Sequence, residues 1–270
     1  MIQRDGHFHT QFCRHGKRQP TEAMLERAVE LGFQRVSLTE HAPLPEGAVA
    51  DARLLDELAL RPDELEPYLE HCRQMKAQFK GRLEVLVGLE LDFVPGFEQA
   101  TVDLVTQWGE QLEDSLLSLH FLPGSGAPKM LDFSPEDFTQ GLLKDYGTLE
   151  SVHAAYWEWL TASARWGFKS HRPKRIGHPG LIYKFTKVLG GPEEPSPAQA
   201  EAFLDAVQAQ GYQLDHNHSG YSRATCGRAY LPKNMENMAL QRGLELVYGS
   251  DAHGIDSVGG FYQLFPPEAR

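Results

Sequence analysis

Seven short apolar runs alternate along this chain with segments of helical periodicity, and that alternation is what most restricts its fold. The runs cover residues 2–7, 35–40, 83–90, 115–120, 174–178, 212–217 and 245–250. Each has the length and composition of a strand. Between them, residues 21–31 place Met24, Leu25, Ala28 and Val29 at helical spacing, with Gly32 set to end the helix. Segments 65–79, 97–108, 149–165, 197–209 and 233–242 read as helices in the same way. Strands that alternate with helices pair in parallel, because a parallel connection needs a crossover of about a dozen residues or more. The expectation is an α/β fold, and 270 residues suit one barrel domain spanning 1–270. Segments 42–62 and 121–147 lack periodicity and are predicted as long loops. Both follow carboxyl ends of strands, the face on which such barrels build their sites.

Most of these runs close on a histidine or an acid. His7 and His9 end the first, His41 the second, Glu90 the third, His120 the fourth and His178 the fifth. Asp251 and His253 follow the seventh. In a parallel barrel these ends share one rim, so residues far apart in sequence face one cup. Strand side chains alternate with period two, which puts His7 and His9 on one face and gives Asp251 and His253 the same relation. Imidazole nitrogens and carboxylate oxygens suit zinc, iron and manganese. With His15 just beyond the first run there are nine such groups, enough for two or three ions.

Composition narrows the partners. The net charge is −11, opposite to what broad electrostatic binding of nucleic acid requires. No apolar run approaches the ~20 residues of a membrane span, and no secretory leader is readable. Three widely spaced cysteines form no disulfide framework, so the expected location is the cytoplasm.

The motifs Asp5-Gly6-His7-Phe8-His9-Thr10, Phe12-Cys13-Arg14-His15, Thr39-Glu40-His41, Gly88-Leu89-Glu90, Ser118-Leu119-His120, Gly177-His178 and Ser250-Asp251-Ala252-His253 come in a telling order. Together they resemble the metal motifs of the polymerase-and-histidinol-phosphatase (PHP) superfamily over nearly the whole chain. Within it the resemblance is strongest to the stand-alone histidinol-phosphate phosphatases of bacterial histidine synthesis. The resemblance implies a distorted seven-stranded (β/α)7 barrel and a site for three divalent transition-metal ions, zinc, iron or manganese. It implies that His7, His9, Glu90 and Asp251 hold one ion, that His15, His41 and His253 hold a second, and that His120 and His178 hold a third with Glu90 bridging. The stretch Asp215-His216-Asn217-His218-Ser219-Gly220-Tyr221, followed by Arg223, Arg228 and Tyr230-Leu231-Pro232, resembles the family's substrate segment. It departs at His218, where the family usually has Thr, and Arg223 comes one residue late.

The expected reaction is hydrolysis of a small phosphate monoester, L-histidinol phosphate, by a hydroxide bridging two ions. Arg223, Arg228 and Lys184 are the candidates to bind the phosphate, and His218 the candidate general acid. Glu46, Asp51 and Asp132, in the two long loops, are candidate partners for the substrate's ammonium and imidazole. Two other readings are a phosphodiesterase or nucleotide phosphatase on the same scaffold, and a metal-binding relative that has lost catalysis. His71, His153 and His171 are read as structural or surface residues, and Trp157, Trp159 and Trp166 as packing.

Overall fold

The computed structural model describes residues 3–49 and 52–269. Seven strands, β1 (Arg4–Phe8), β2 (Arg35–His41), β3 (Glu84–Asp92), β4 (Leu116–Ser118), β5 (Arg175–Ile176), β6 (Gln213–Asn217) and β7 (Leu246–Gly249), form one parallel sheet in sequence order. The sheet nearly closes on itself. Beyond the last strand, the Asp251 N–H donates to the His7 carbonyl (2.9 Å), and the His9 N–H donates to the Ala252 carbonyl (3.1 Å). This is the α/β barrel the sequence predicts, although the first run begins at Ile2, outside the described residues.

The middle of β2 and most of β3 are buried without alternation, as expected of strands covered on both sides by helices and barrel interior. The helices are α1 (Thr21–Glu30), α2 (Ala52–Leu58), α3 (Leu65–Gln78), α4 (Glu98–Trp108), α5 (Leu149–Arg165), α6 (Pro197–Gln210) and α7 (Lys233–Gln241). α5 buries Val152, Tyr156, Trp157, Leu160 and Ala164 along one stripe, and Trp157 meets Phe203 of α6 edge to face at 5.8 Å. α6 starts on a Ser196–Gln199 capping box with Pro197 in its first turn, and it ends at Gly211 in the left-handed region.

Both predicted loops contain secondary structure. α2 lies within 42–62. Residues 121–147 hold a two-stranded antiparallel pair (Phe121–Leu122 with Lys129–Met130) and short helical turns from Pro135 to Tyr146. The pieces within 121–147 carry no readable period because two-residue strands and four-residue helices are shorter than the repeat.

The barrel interior carries an ion pair that the sequence does not announce. Arg175 is 1% exposed, donates to both Asp114 oxygens (2.8 and 2.9 Å), and donates to the Gly6 carbonyl (2.7 Å). Arg175 looks like the last member of a surface basic patch, 172–175, yet its side chain turns inward. Asp114 also accepts from Ser37. Removing one partner of a buried pair strands the other charge. Arg175→Met is therefore expected to lower unfolding free energy by about 3–5 kcal/mol, measured by urea denaturation of the protein and the variant. A loss below about 1 kcal/mol, the range of surface pairs, would contradict this account.

Candidate metal centre

The barrel delivers each candidate ligand to one rim through strand register. β2 and β3 pair in full, so His41 sits directly beside Glu90. β3 and β4 place Asp92 beside Ser118, two residues before His120. The β1–β2 register shifts between Asp5 and Phe8, an irregularity that re-aims His7. Its ring lies 5.2 Å from that of His9. Asp251 and His253 lie beyond β7 rather than on it, so strand alternation does not place them. Asp251 instead adopts φ +53°, and His178 φ +25°, a left-handed region costly for residues with a Cβ. The barrel closure holds Asp251 there through its backbone N–H.

Glu90 is the hub. It is 1% exposed. Its Oε1 lies 2.7 Å from His178 Nε2 and 3.6 Å from His120 Nε2. Its Oε2 lies 3.1 Å from His7 Nε2, 3.2 Å from His41 Nδ1 and 3.6 Å from His9 Nε2. Asp251 Oδ1 lies 3.0 Å from His9 Nε2 and 3.7 Å from His7 Nε2. Among the described residues, donor atoms lie within 4.8 Å of one another in five groups: Glu90, His120 and His178; His7, His9 and Asp251; His9, His41 and His253; and two that include Cys13, one with His15 and His253 and one with His9 and Glu40. His15 joins His253. All nine predicted ligands thus converge, and only His15 is exposed.

Three carboxylates behind them were not singled out from sequence. His7 Nδ1 donates to Asp215 (2.8 Å), His9 Nδ1 to Glu40 (3.1 Å) and His120 Nδ1 to Asp92 (2.6 Å). Each fixes one tautomer and turns Nε2 into the cup. The available signal was that Glu40, Asp92 and Asp215 fall on strands next to ligand motifs, where a buried acid needs a partner.

The donor atoms suit cations. His15 Nδ1 donates to the Glu57 carbonyl (3.0 Å) and His253 Nδ1 to the Asp251 carbonyl (2.8 Å). Their Nε2 atoms then present lone pairs to each other at 3.0 Å, which only a proton or a metal ion between them relieves. Buried His41 Nε2 has no hydrogen bond at all. Charge points the same way. Burial opposes protonation of His9 and His120. Asp251 and Glu40 outweigh it at His9, raised to about 9, and Asp92 and Glu90 at His120, raised to about 10. Burial followed by neighbouring imidazoles pushes His253 down to about 3. Against their own burial, Glu90 and Asp251 stay well below the usual carboxylate range because histidines face them. Cys13 is near His15 and His253, but burial pushes its thiol up.

Beside the centre opens a cavity of 210 Å³, whose lining combines apolar residues such as Leu44, Phe121, Met130, Phe133 and Leu181 with Asp132, Lys184, Arg223 and several of the ligands. Arg223 is exposed and makes no ion pair among the described residues. Lys184 reaches the cavity but pairs with Asp132 (2.8 Å). Arg228 does not line it: its guanidinium donates to the Glu193 carbonyl (2.6 Å) and lies over the Tyr183 ring. His218 is not a free acid either. Both ring nitrogens are engaged, by the Phe261 carbonyl (3.0 Å) and by His216 (2.8 Å), and burial pushes it down to about 3. Of the loop acids, Asp132 lines the cavity, Glu46 is exposed away from it, and Asp51 lies outside the described residues.

A parallel barrel with a histidine–carboxylate cup on its carboxyl rim defines a divalent-metal-binding protein of the barrel hydrolase kind. A model of the PHP domain matches residues 5–219, and the chain belongs to that family. The histidinol-phosphatase of Bacillus subtilis is 34% identical over 266 residues, covering 98% of both chains. A crystal structure assigned as the histidinol phosphatase HisK of Listeria monocytogenes has a TM-score of 0.94 at 33% identity, covering 98% of this chain and 100% of that one. The histidinol phosphate phosphatase of Lactococcus lactis, complexed with zinc, L-histidinol and phosphate, shares the fold at TM-score 0.71 and 15% identity, covering 97% of this chain and 92% of that one. Among the described residues, no helix is long and apolar enough to cross a membrane.

The charge pattern gives a pH test. In metal-free protein, His9 and His120 carry folded values raised above the ordinary histidine value. The stability they contribute is fully present below about pH 6.5 and is lost as pH rises through about 9 to 10. Chelated protein should therefore show a falling Tm between about pH 7 and 10, and saturating zinc should flatten that fall. Equal slopes with and without metal would contradict it.

Proposed function

We propose that the chain is a metal-dependent phosphomonoesterase that hydrolyses L-histidinol phosphate to L-histidinol and phosphate in histidine biosynthesis, acting in the cytoplasm as one barrel domain. The observation that carries the reading is Glu90, whose two oxygens face separate histidine groups, the arrangement a carboxylate shared between ions requires. Three ions of the zinc, iron or manganese type are read from the histidine–carboxylate groups. Glu90, His120 and His178 would hold one, His7, His9 and Asp251 a second, and His41 and His253 with His15 a third. When bound, such ions acidify water, neutralise phosphoryl oxygens and orient the attack.

The protein's own side chains do the rest. Arg223, which lines the cavity and makes no ion pair among the described residues, supplies a fork of donors for two phosphate oxygens. Lys184 holds Asp132 in the same cavity, leaving Asp132 Oδ1 buried without a hydrogen bond. That oxygen is suited to the substrate's ammonium group. The apolar lining offers Phe121, Phe133 and Leu181 to the imidazole ring, and the metal-side carboxylates stay ionised for their ligands. His218 and Arg228 have no part in contacting substrate in this reading.

Glu90→Gln or Asp251→Asn should abolish phosphatase activity while circular dichroism shows the barrel intact, because an amide neither bridges nor balances metal charge. Near-normal turnover at saturating metal would exclude the bridging role. Arg223→Ala should lower kcat/KM for histidinol phosphate by about ten- to a hundredfold at unchanged metal content, the worth of a charge-assisted contact. A panel containing histidinol phosphate, nucleotides, an aryl phosphate and a phosphodiester tests the substrate. Histidinol phosphate no better than the aryl ester would reduce the reading to a general metal phosphoesterase.

A further inference from the structure

Behind the metal centre, His216 and His218 are both buried and use their four ring nitrogens in three contacts. His216 Nε2 faces Glu236 Oε2 at 3.0 Å, His216 Nδ1 faces His218 Nε2 at 2.8 Å, and His218 Nδ1 faces the Phe261 carbonyl at 3.0 Å. A carboxylate and a carbonyl oxygen only accept hydrogen bonds, so each outer contact needs a proton on nitrogen. The middle contact needs one more, shared between two nitrogens. The total is three, and two neutral imidazoles supply two. We infer that the His216–His218 pair holds a third ring proton, is a buried monocation balanced by Glu236, and positions the cavity wall that carries Arg223.

The charges around the pair are consistent with this count. Burial and the adjacent His216 push His218 down, and of the two rings only His216 faces a carboxylate, the natural place for the extra proton. Glu236, although buried, is held below the usual carboxylate range by His216 and Lys233. Asp215 is the other acid acting on His218. Tyr221 and Tyr248 meet the His218 ring edge to face, at 5.4 and 5.1 Å.

The third proton fixes a strained turn. Phe261 sits at φ +58°, in the left-handed region, and its carbonyl accepts from His218. Its ring lies 5.3 Å from that of Tyr221, in the turn Ser219–Ser222 that leads directly to Arg223. Phe261, Ser219 and Arg223 line a second cavity, of 410 Å³, that shares Asp251 and His253 with the first. With only two ring protons, one contact would set lone pair against lone pair and open. Loss of the proton and loosening of this wall are one event. His218 is thus a positioning residue, which explains an imidazole adjacent to the site that takes no part in the chemistry.

The test is nitrogen-15 NMR of the zinc-loaded protein with labelled histidine, together with kinetics. At pH 7, His216 should show both ring nitrogens protonated and His218 only Nδ1. As pH rises, loss of the His216 proton should coincide with faster exchange of the Leu264 amide, which also donates to the Phe261 carbonyl. In Glu236→Gln, which removes the balancing charge, the pair should show only two ring protons at pH 7. KM for histidinol phosphate should rise about three- to tenfold at unchanged zinc content, the worth of one lost hydrogen bond. Two neutral histidines at pH 7 with the turn still protected would overturn the inference, and so would a Glu236→Gln variant with wild-type spectra and KM. The spectrum of the unmutated protein decides the proton count even if the variant does not fold. Only the kinetic arm rests on the phosphatase reading. Three ring protons in a protein that ignores histidinol phosphate would sink that reading and leave the positioning network standing.

Discussion

A single buried carboxylate organises this protein. Glu90 sits in the interior with histidines around both oxygens. An ionised carboxylate in such a place is untenable alone, since burial costs several kcal/mol per ion. It stays ionised because positive charge is concentrated around it, as imidazolium in the metal-free protein and as metal when loaded. The cup is therefore a cation receptor whose protons stand in for ions. Folding and metal uptake are coupled through the same set of side chains.

The rigidity of that receptor comes from a ring of acids outside it. Asp215, Glu40 and Asp92 each hold one histidine through Nδ1, which turns Nε2 inward and fixes the tautomer. Two ligands just past strand ends, His178 and Asp251, are oriented by left-handed backbone conformations. Asp251 is held in its left-handed conformation by the barrel closure, through its N–H to the His7 carbonyl, and His178 is flanked by Gly177 N–H donating to the Leu117 carbonyl and Gly180 N–H donating to the Tyr230 carbonyl. The net charge of −11 is compatible with an anionic substrate on these terms, because divalent ions in the cup would dominate the local field.

Outside the cup, electrostatics divide the basic residues by what they face. Arg175, Arg228 and Lys184 are each committed to an internal acid or carbonyl. Arg223 alone among the proposed phosphate contacts lines the cavity without an ion pair among the described residues. Two histidines adjacent in sequence to the site spend their nitrogens on each other and on a strained turn. Proximity along the chain is thus a poor guide to chemistry where the chain has just left a strand.

The sequence by itself determined the seven-strand alternation and the parallel barrel, and it marked the histidines and acids at the strand ends, because strand period and strand ends are local properties. His41 beside Glu90, and His120 and His178 just past β4 and β5, follow directly from them. The placing of Asp251, His253 and His15 beyond those ends was left to the tertiary structure. Tertiary structure alone decided which cations are free. Arg228 and Arg223 are equally plausible in the chain, and only packing against Glu193 and Tyr183 removes one of them. It also decided that Arg175 turns into the barrel toward Asp114, and that His218 pairs with His216 instead of substrate. Those outcomes depend on where distant acids and carbonyls lie once the sheet closes, which no local pattern encodes.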